Sequence, residues 1–450
     1  MAAKPPRADS ARERREDRQD LARSHSEAPK HDRTLPWYRR FGPGLITGAA
    51  DDDPSGIGTY SATGAQSGYL LLWLVPYCIP LMIAVQEMCG RLGAVTGMGL
   101  AAVLKAHYPK WLLYGSVTLL IVANVFNVYA DLNVMAASAT MLFHIPFAAG
   151  LTVIAVVIAV LPIVMSYAVY ARMLKWLCLS LLGYVVVALL PKVHNDWPAI
   201  LRSLYMPRLS SSKDTMLLVV AFLGTTISPY LFFWQAGETV EEEVAAGRID
   251  ASGQRKSLVS AGESRNIRAD TTVGMIASQA VALFVIIATA GVLHRHGVTQ
   301  INTAEDAARA LQPLGPSAYW IFTVCIIGTG LLAIPTLAGS AAYAVAETAG
   351  WRYGLYRRFS RAKAFYFTIA GVVMVGYAMN FFHMSPVKAL VYSAAFNGIV
   401  APPLIVVLLF ICNNRKVVGN HTNGPWSNVF GWATVVLMAP AAAFLIYSSF

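Results

Sequence analysis

Apolar stretches of roughly 20 residues, each long enough to cross the hydrocarbon core of a bilayer as a helix, recur along this chain with polar stretches between them. They fall at 44–66, 69–93, 112–141, 145–167, 170–191, 215–236, 270–293, 316–346, 364–383, 386–412 and 427–448. Within lipid every backbone polar group must be satisfied inside a helix or a closed barrel, so runs of this length point to one architecture. The chain reads as an all-α integral membrane protein with eleven transmembrane helices. Composition agrees, because 56% of the 450 residues are apolar and only 13% are charged, outside the soluble range.

The first apolar stretch is interrupted by Asp51-Asp52-Asp53-Pro54-Ser55-Gly56. An ionisable side chain at membrane depth costs about 2.5–3.5 kcal/mol on insertion scales, so it persists where it is buried in a bundle and used. Its flanks lack Lys, Arg and Glu and read as two half-helices around an unwound, charged centre, the pattern of a cation site. A second break stands at Gly224-Thr225-Thr226-Ile227-Ser228-Pro229-Tyr230, five spans later. There proline removes a backbone donor, and Thr225, Thr226 and Ser228 carry hydroxyls that can serve the freed polar groups. The second break alone reads as a helix kink, as do Pro76, Pro80 and Pro402-Pro403. Matching breaks in corresponding spans of two halves are instead the mark of an inverted-repeat transporter with its site between them. The expected organisation is a disordered basic cytoplasmic tail at 1–40 and one transporter domain at 41–450. That domain divides into a first repeat at 41–191, a second at 213–412 and an extra span at 425–450.

The net charge of +11 is topological and does not point to nucleic acid. Residues 1–40 hold eleven of the 35 Lys and Arg, and the remainder is concentrated in loops on the same side as that tail. The positive-inside rule then places the N-terminus in the cytoplasm and, with an odd span count, Phe450 outside the cell. The five cysteines are scattered through apolar segments and read as packing residues. No histidine stands at the centre of a span, which leaves no buried imidazole relay.

The run Gly42-Pro43-Gly44-Leu45-Ile46, then Asp53-Pro54, Gly64-Ala65-Gln66-Ser67-Gly68-Tyr69-Leu70-Leu71-Leu72-Trp73, Arg91-Leu92-Gly93 and Val95-Thr96-Gly97 resembles the natural resistance-associated macrophage protein (Nramp) family. The resemblance continues through Ala130-Asp131-Leu132 and Ile227 to Tyr230 and covers residues 41–450. It implies a LeuT-type fold of 5+5 spans plus one, with the first and sixth broken, and transport of divalent metal ions, usually iron or manganese with proton coupling. Those members carry Asp-Pro-Gly-Asn in the first span and Met-Pro-His in the sixth. This chain keeps the aspartate as Asp53 but has Gly56, Ser228 and Tyr230 in place of Asn, Met and His. Losing a thioether moves the site toward hard cations, and the smaller Gly56 and Ser228 are expected to open space for an ion that keeps its water, as Mg²⁺ does. The chain is similar to the Nramp-related magnesium transporters. Aligned on the third-span proton motif, Asp131 is kept and Val134 replaces Glu, so with Tyr230 replacing His two relay groups are gone.

The residues expected at the metal are Asp53 as a direct or water-mediated ligand, the backbone carbonyls of Ala50 and Thr225, and Gly56, Ser228, Asp52 and Asn397. Asn397 has two open readings, facing the ion path or making an interhelical hydrogen bond. Asp131, Tyr230 and Glu87 are proton or gate candidates, and Glu87 and Glu347 also read as packing contacts. Glu241-Glu242-Glu243 reads as a solvated cytoplasmic loop. The leading expectation is uptake of Mg²⁺, with Mn²⁺ second, by uncoupled alternating access in an inner membrane. The partners are the ion and the bilayer, no cofactor is expected, and a monomer is compatible with this. The alternatives are a proton-coupled Mn²⁺ or Fe²⁺ importer, a transporter of organic solutes, against which Asp53 argues, and a membrane metal sensor without transport. No enzyme motif occurs.

Overall fold

The computed structural model describes residues 43–164, 181–210, 212–249, 259–382 and 384–448. The 1–40 tail, Cys178, residues 170–180 of the predicted 170–191 span and Phe450 lie outside the described residues. The main helices are α1 (Pro43–Asp51), α2 (Pro54–Ser67), α3 (Leu74–Thr96), α4 (Lys110–Phe143), α5 (Phe147–Val164), α6 (Leu182–Leu189), α7 (Lys213–Thr226), α8 (Pro229–Ala245), α9 (Ala261–Val292), α10 (Ala318–Ala349), α11 (Lys363–Met379), α12 (Pro386–Asn413) and α13 (Pro425–Tyr447). Among the described residues, seven helical stretches are long and apolar enough to cross a membrane. The broken first span is not one of the seven, since its halves have only 9 and 14 residues.

Both breaks follow from the placement of proline. A helix needs the N–H of residue i+4 to satisfy the carbonyl of residue i. The residue four beyond Ala50 is Pro54, and the residue four beyond Thr225 is Pro229. Neither proline has an N–H to give. Accordingly α1 stops at Asp51 and α7 at Thr226, while each proline opens the next half-helix, where a missing donor costs nothing.

The broken helices pack with α3 and α9, while α4, α5, α10 and α11 form a second group, and α12 joins the two through α4 and α7. Glycine permits the tightest approaches. A Cβ on Gly224 would strike the Ala394 carbonyl and the Gly398 backbone, and one on Gly398 would strike the Val220 carbonyl, so α7 and α12 touch backbone to backbone. Helix α9 runs against both halves of the first broken span. The Gly44 N–H donates to Asp270 Oδ2 at 2.6 Å, a Cβ on Gly48 would meet the Gly274 backbone, and one on Gly64 would meet Thr289 and the Ile286 carbonyl.

Two polar clusters lie at helix ends. Glu87 is paired with Arg91 at 3.0 Å and Arg268 at 3.8 Å, and accepts from Ser427 Oγ at 3.2 Å. Arg91 also donates to the His421 carbonyl and to Asn423 Oδ1. Glu87 therefore ties the start of α13 to α3 and α9, which is the packing role. Glu347 likewise accepts from the Ala102 N–H at 3.0 Å, fixing the 100–107 helix. The acidic run 241–243 is not a solvated loop: it forms part of α8, and Glu241 accepts from the Tyr343 hydroxyl at 2.5 Å and from the N–H groups of Leu355 at 2.6 Å and Tyr356 at 3.0 Å. Glu243 pairs with Arg248 at 3.0 Å. Helical continuation of the sixth span past residue 236 turned Glu241 toward the α10–α11 connection, which it holds.

Candidate metal site

Asp53 is placed by the helix that it starts. It is the N-cap of α2, with extended backbone at φ −70° and ψ 169°, and its Oδ1 accepts from the Gly56 N–H and the Ser55 hydroxyl, each at 2.6 Å. A cap of this kind is worth about 1 kcal/mol. Both bonds fall on one oxygen, so the other is left outside them, and the carboxylate is held at the break with only 1% of the residue exposed.

The two carbonyls orphaned by proline are both served by hydroxyls from the second break. Tyr230 donates to the Ala50 carbonyl at 2.8 Å, across 180 positions of sequence. Ser228 donates back along its own helix to the carbonyls of Thr225 and Gly224, at 2.8 Å each. Ala50 and Thr225, expected as open carbonyl ligands, thus already carry protein hydrogen bonds. The expectation that Gly56 opens space also fails. A Cβ there would lie 3.2 Å from the Asp51 carbonyl and 3.3 Å from both Thr225 Oγ1 and a Tyr60 ring carbon, so neighbours have filled the volume. Thr225 Oγ1 in turn lies 3.4 Å from Ser55 Oγ, which brings the two breaks together through side chains.

Asp131, from α4, lies within electrostatic reach of Asp53 and near the Ser55 N–H, and neither of its oxygens has a hydrogen-bond partner. Val134 is buried on the same helix. Asp52 and Asp51 turn to α9, where Ser278 Oγ lies 2.6 Å from Asp51 Oδ2 and 3.3 Å from Asp52 Oδ1. The Ser278 hydroxyl is therefore shared between Asp51 and Asp52. Asn397 is buried with both amide atoms unpartnered, which removes the interhelical hydrogen-bond reading, and no hydrogen bond joins it to Asp53. Glu87 belongs to the helix-end cluster and stands apart from the breaks.

Sequence reasoning missed Ser278, Ser55 and Tyr60. Tyr60 is fully buried, its hydroxyl has no partner, and it lies within electrostatic reach of all three aspartates. The Ser278-Gln279 pair, polar within the apolar part of α9, was the available signal for Ser278, but its register against α1 is a tertiary fact. Among the described residues no three His, Cys, Asp or Glu side chains converge closely enough to hold one metal ion. Any ion at the breaks would meet one fixed carboxylate, a second nearby at Asp131, and hydroxyls.

Residues 44–448 match the family model described as "Natural resistance-associated macrophage protein-like". Relatives include proteins named divalent metal cation transporter MntH from Klebsiella pneumoniae strain 342, 25% identical over 91% of this chain and 94% of its own length, and from Bacillus subtilis strain 168, 24% identical over 91% and 92%. Among solved structures, the Eremococcus coleocola manganese transporter superposes with a TM-score of 0.72 at 19% identity, covering 99% of this chain and 89% of that one. The structure of MhsT bound to L-phenylalanine superposes at 0.55 and 10% identity, covering 90% and 98%. The fold is the LeuT-type helical bundle of membrane transporters. With a family match across nearly all of its transmembrane length and a broken, aspartate-bearing first span, the chain belongs to the natural resistance-associated macrophage protein family, whose members are transporters and not enzymes.

Proposed function

We propose that this chain carries divalent metal ions across the inner membrane, with Mg²⁺ as the favoured ion and Mn²⁺ second, taken up largely hydrated. The relatives' shared description as divalent metal cation transporters supports the substrate class. The observation that carries the choice within it is that protein hydroxyls already satisfy both orphaned carbonyls, leaving Asp53 with few protein oxygens beside it. Mg²⁺ gives up water reluctantly and binds through one or two carboxylates. A hydroxyl at position 228, where related transporters place a thioether, further lowers the affinity for softer ions.

Transport in this reading is uncoupled alternating access driven by the membrane potential, worth about 4.6 kcal/mol for a dication at 100 mV. Val134 and the phenol of Tyr230 stand where proton-carrying groups would be needed. The N-terminus is cytoplasmic, the repeats are 41–191 and 213–412, and no resident cofactor takes part. A second reading, a proton-coupled Mn²⁺ importer, is favoured by the names of the relatives and of the superposed manganese transporter, and by the retention of Asp131 beside Asp53.

Proteoliposomes loaded with a Mg²⁺-sensitive, a Mn²⁺-sensitive or a pH-sensitive dye separate the two. The proposal expects saturable Mg²⁺ entry that grows with an inside-negative potential and leaves lumenal pH unchanged. Mn²⁺ entry without Mg²⁺ entry, or acidification that tracks metal influx, would establish the second reading. Absence of any metal flux alongside metal binding would leave a sensor.

A further inference from the structure

Ala50 and Thr225 occupy equivalent positions, each four residues before the proline that breaks its span. Each carbonyl is thereby deprived of its helical donor. The replacements differ in origin. Thr225 is served locally by Ser228, three residues on, whereas Ala50 is served by Tyr230 from the opposite break. The phenol is fully buried, and its ring belongs to the second residue of α8. Tyr230 therefore spans the gap beside Asp53 and closes on a first-break carbonyl that could otherwise turn to an ion.

We propose that Tyr230 determines ion selectivity by holding the Ala50 carbonyl away from the metal. The proposal rests on the reading of the breaks as the metal site and refines it. A carbonyl that accepts a hydrogen bond from a fixed phenol has one lone pair engaged and its direction set, so it is a weaker and misdirected ligand. An ion entering beside Asp53 then keeps water where the carbonyl would have replaced it. That arrangement discriminates between dications by their cost of dehydration. Mn²⁺, which exchanges water for protein oxygen more readily, forgoes a ligand, while Mg²⁺, which prefers several waters, forgoes little. Tyr230 is in this sense a positioning residue that acts through a backbone oxygen.

The test is Tyr230→Phe, which keeps the ring and removes the hydroxyl. A buried carbonyl left without a donor is unsatisfied, and a bound ion can satisfy it. In detergent-solubilised full-length protein, calorimetric titration with MnCl₂ and with MgCl₂ is expected to show Mn²⁺ affinity rising by about 10-fold, equivalent to about 1.4 kcal/mol, with Mg²⁺ affinity changing by less than about 2-fold. A Mn²⁺ to Mg²⁺ affinity ratio that moves by less than about 3-fold, or moves toward Mg²⁺, overturns the proposal, since a purely structural hydroxyl would alter both ions alike. Should Tyr230→Phe fail to fold, the hydration of Mn²⁺ bound to the unaltered chain decides, counted from ¹⁷O-water broadening of its electron paramagnetic resonance signal. About four or more waters support the proposal, and fewer overturn it. Failure of the Mg²⁺ assignment is read separately, from the affinity of the unaltered chain for MgCl₂, because the effect of the hydroxyl on the Mn²⁺ to Mg²⁺ ratio is defined whichever ion is physiological.

Discussion

Asp53 has two roles that a pair of substitutions can separate. Asparagine caps a helix as well as aspartate does, whereas alanine does not cap at all. In Asp53→Asn the side-chain oxygen still accepts from the Gly56 N–H and the Ser55 hydroxyl, both now at 2.6 Å, so α2 keeps its start and only the charge is lost. In Asp53→Ala the cap is lost as well, at about 1 kcal/mol. The charge matters far more to an ion. Two unit charges about 4 Å apart attract by about 4 kcal/mol at an effective dielectric near 20, and a dication doubles this gross figure. Desolvation returns much of it, and truncating one member of a buried charge pair typically costs about 2–5 kcal/mol net. At the lower bound this is about a 30-fold loss of affinity. The assay is Mn²⁺ titration of both variants beside thermal unfolding in the same detergent. Both variants should lose ion binding to the same degree, and only Asp53→Ala should lose stability. Unchanged binding in Asp53→Asn would refute the ligand role, and equal destabilisation of the two variants would refute the capping argument.

Other outcomes follow from the same contacts. Ser228→Met replaces a hydroxyl that serves two carbonyls by a thioether, and competition titrations should show Cd²⁺ and Mn²⁺ gaining on Mg²⁺ by at least about 10-fold, because soft ligands select softer ions. Gly48→Ala places a carbon against the Gly274 backbone, which has no side chain to yield, so stability should fall by about 1–3 kcal/mol and dye-monitored transport should fall with it. Arg91→Met leaves Glu87 with the Ser427 hydroxyl and, as its remaining ion pair among the described residues, the longer Arg268 contact at 3.8 Å, and unfolding should come earlier by up to about 3 kcal/mol, with the ion preference measured by titration unaltered. Glu241→Gln weakens an acceptor shared by Tyr343 and two backbone N–H groups, and hydrogen exchange should rise at residues 353–357 before any change at the breaks.

Hydropathy and proline made the helices and both breaks legible, and the carboxylate at 53 was identifiable because nothing near it in sequence could neutralise it. An aspartate directly before proline caps the next half-helix, which is a local feature of the sequence. What could not be read were partnerships between distant positions. The Tyr230 to Ala50 bond spans 180 residues, and the bond from Ser278 to Asp51 spans 227, and no periodicity encodes either register. Position 56 misled for a related reason: glycine signals absent volume locally, while Thr225 and Tyr60 approach from elsewhere to occupy it. The glutamates at 241–243 look solvated in sequence because charge runs usually are. The partners of Glu241 are the hydroxyl and loop N–H groups of residues 343, 355 and 356, which have no acidic or basic signature.

The seating of the first broken span on α9 has a mechanical consequence. Where Gly48 rests on Gly274 the contact is main chain on main chain, and no rotamer on either side has to turn before one surface moves past the other. Such a joint works like a plain bearing: interlocking teeth are absent, so sliding involves no repacking, while the clearance is so small that a single added methyl group jams it. At that point the half-helix that ends at the aspartates is tightly seated without side-chain interlock, and its ties to α9 are the hydrogen bonds at Asp270 and Ser278.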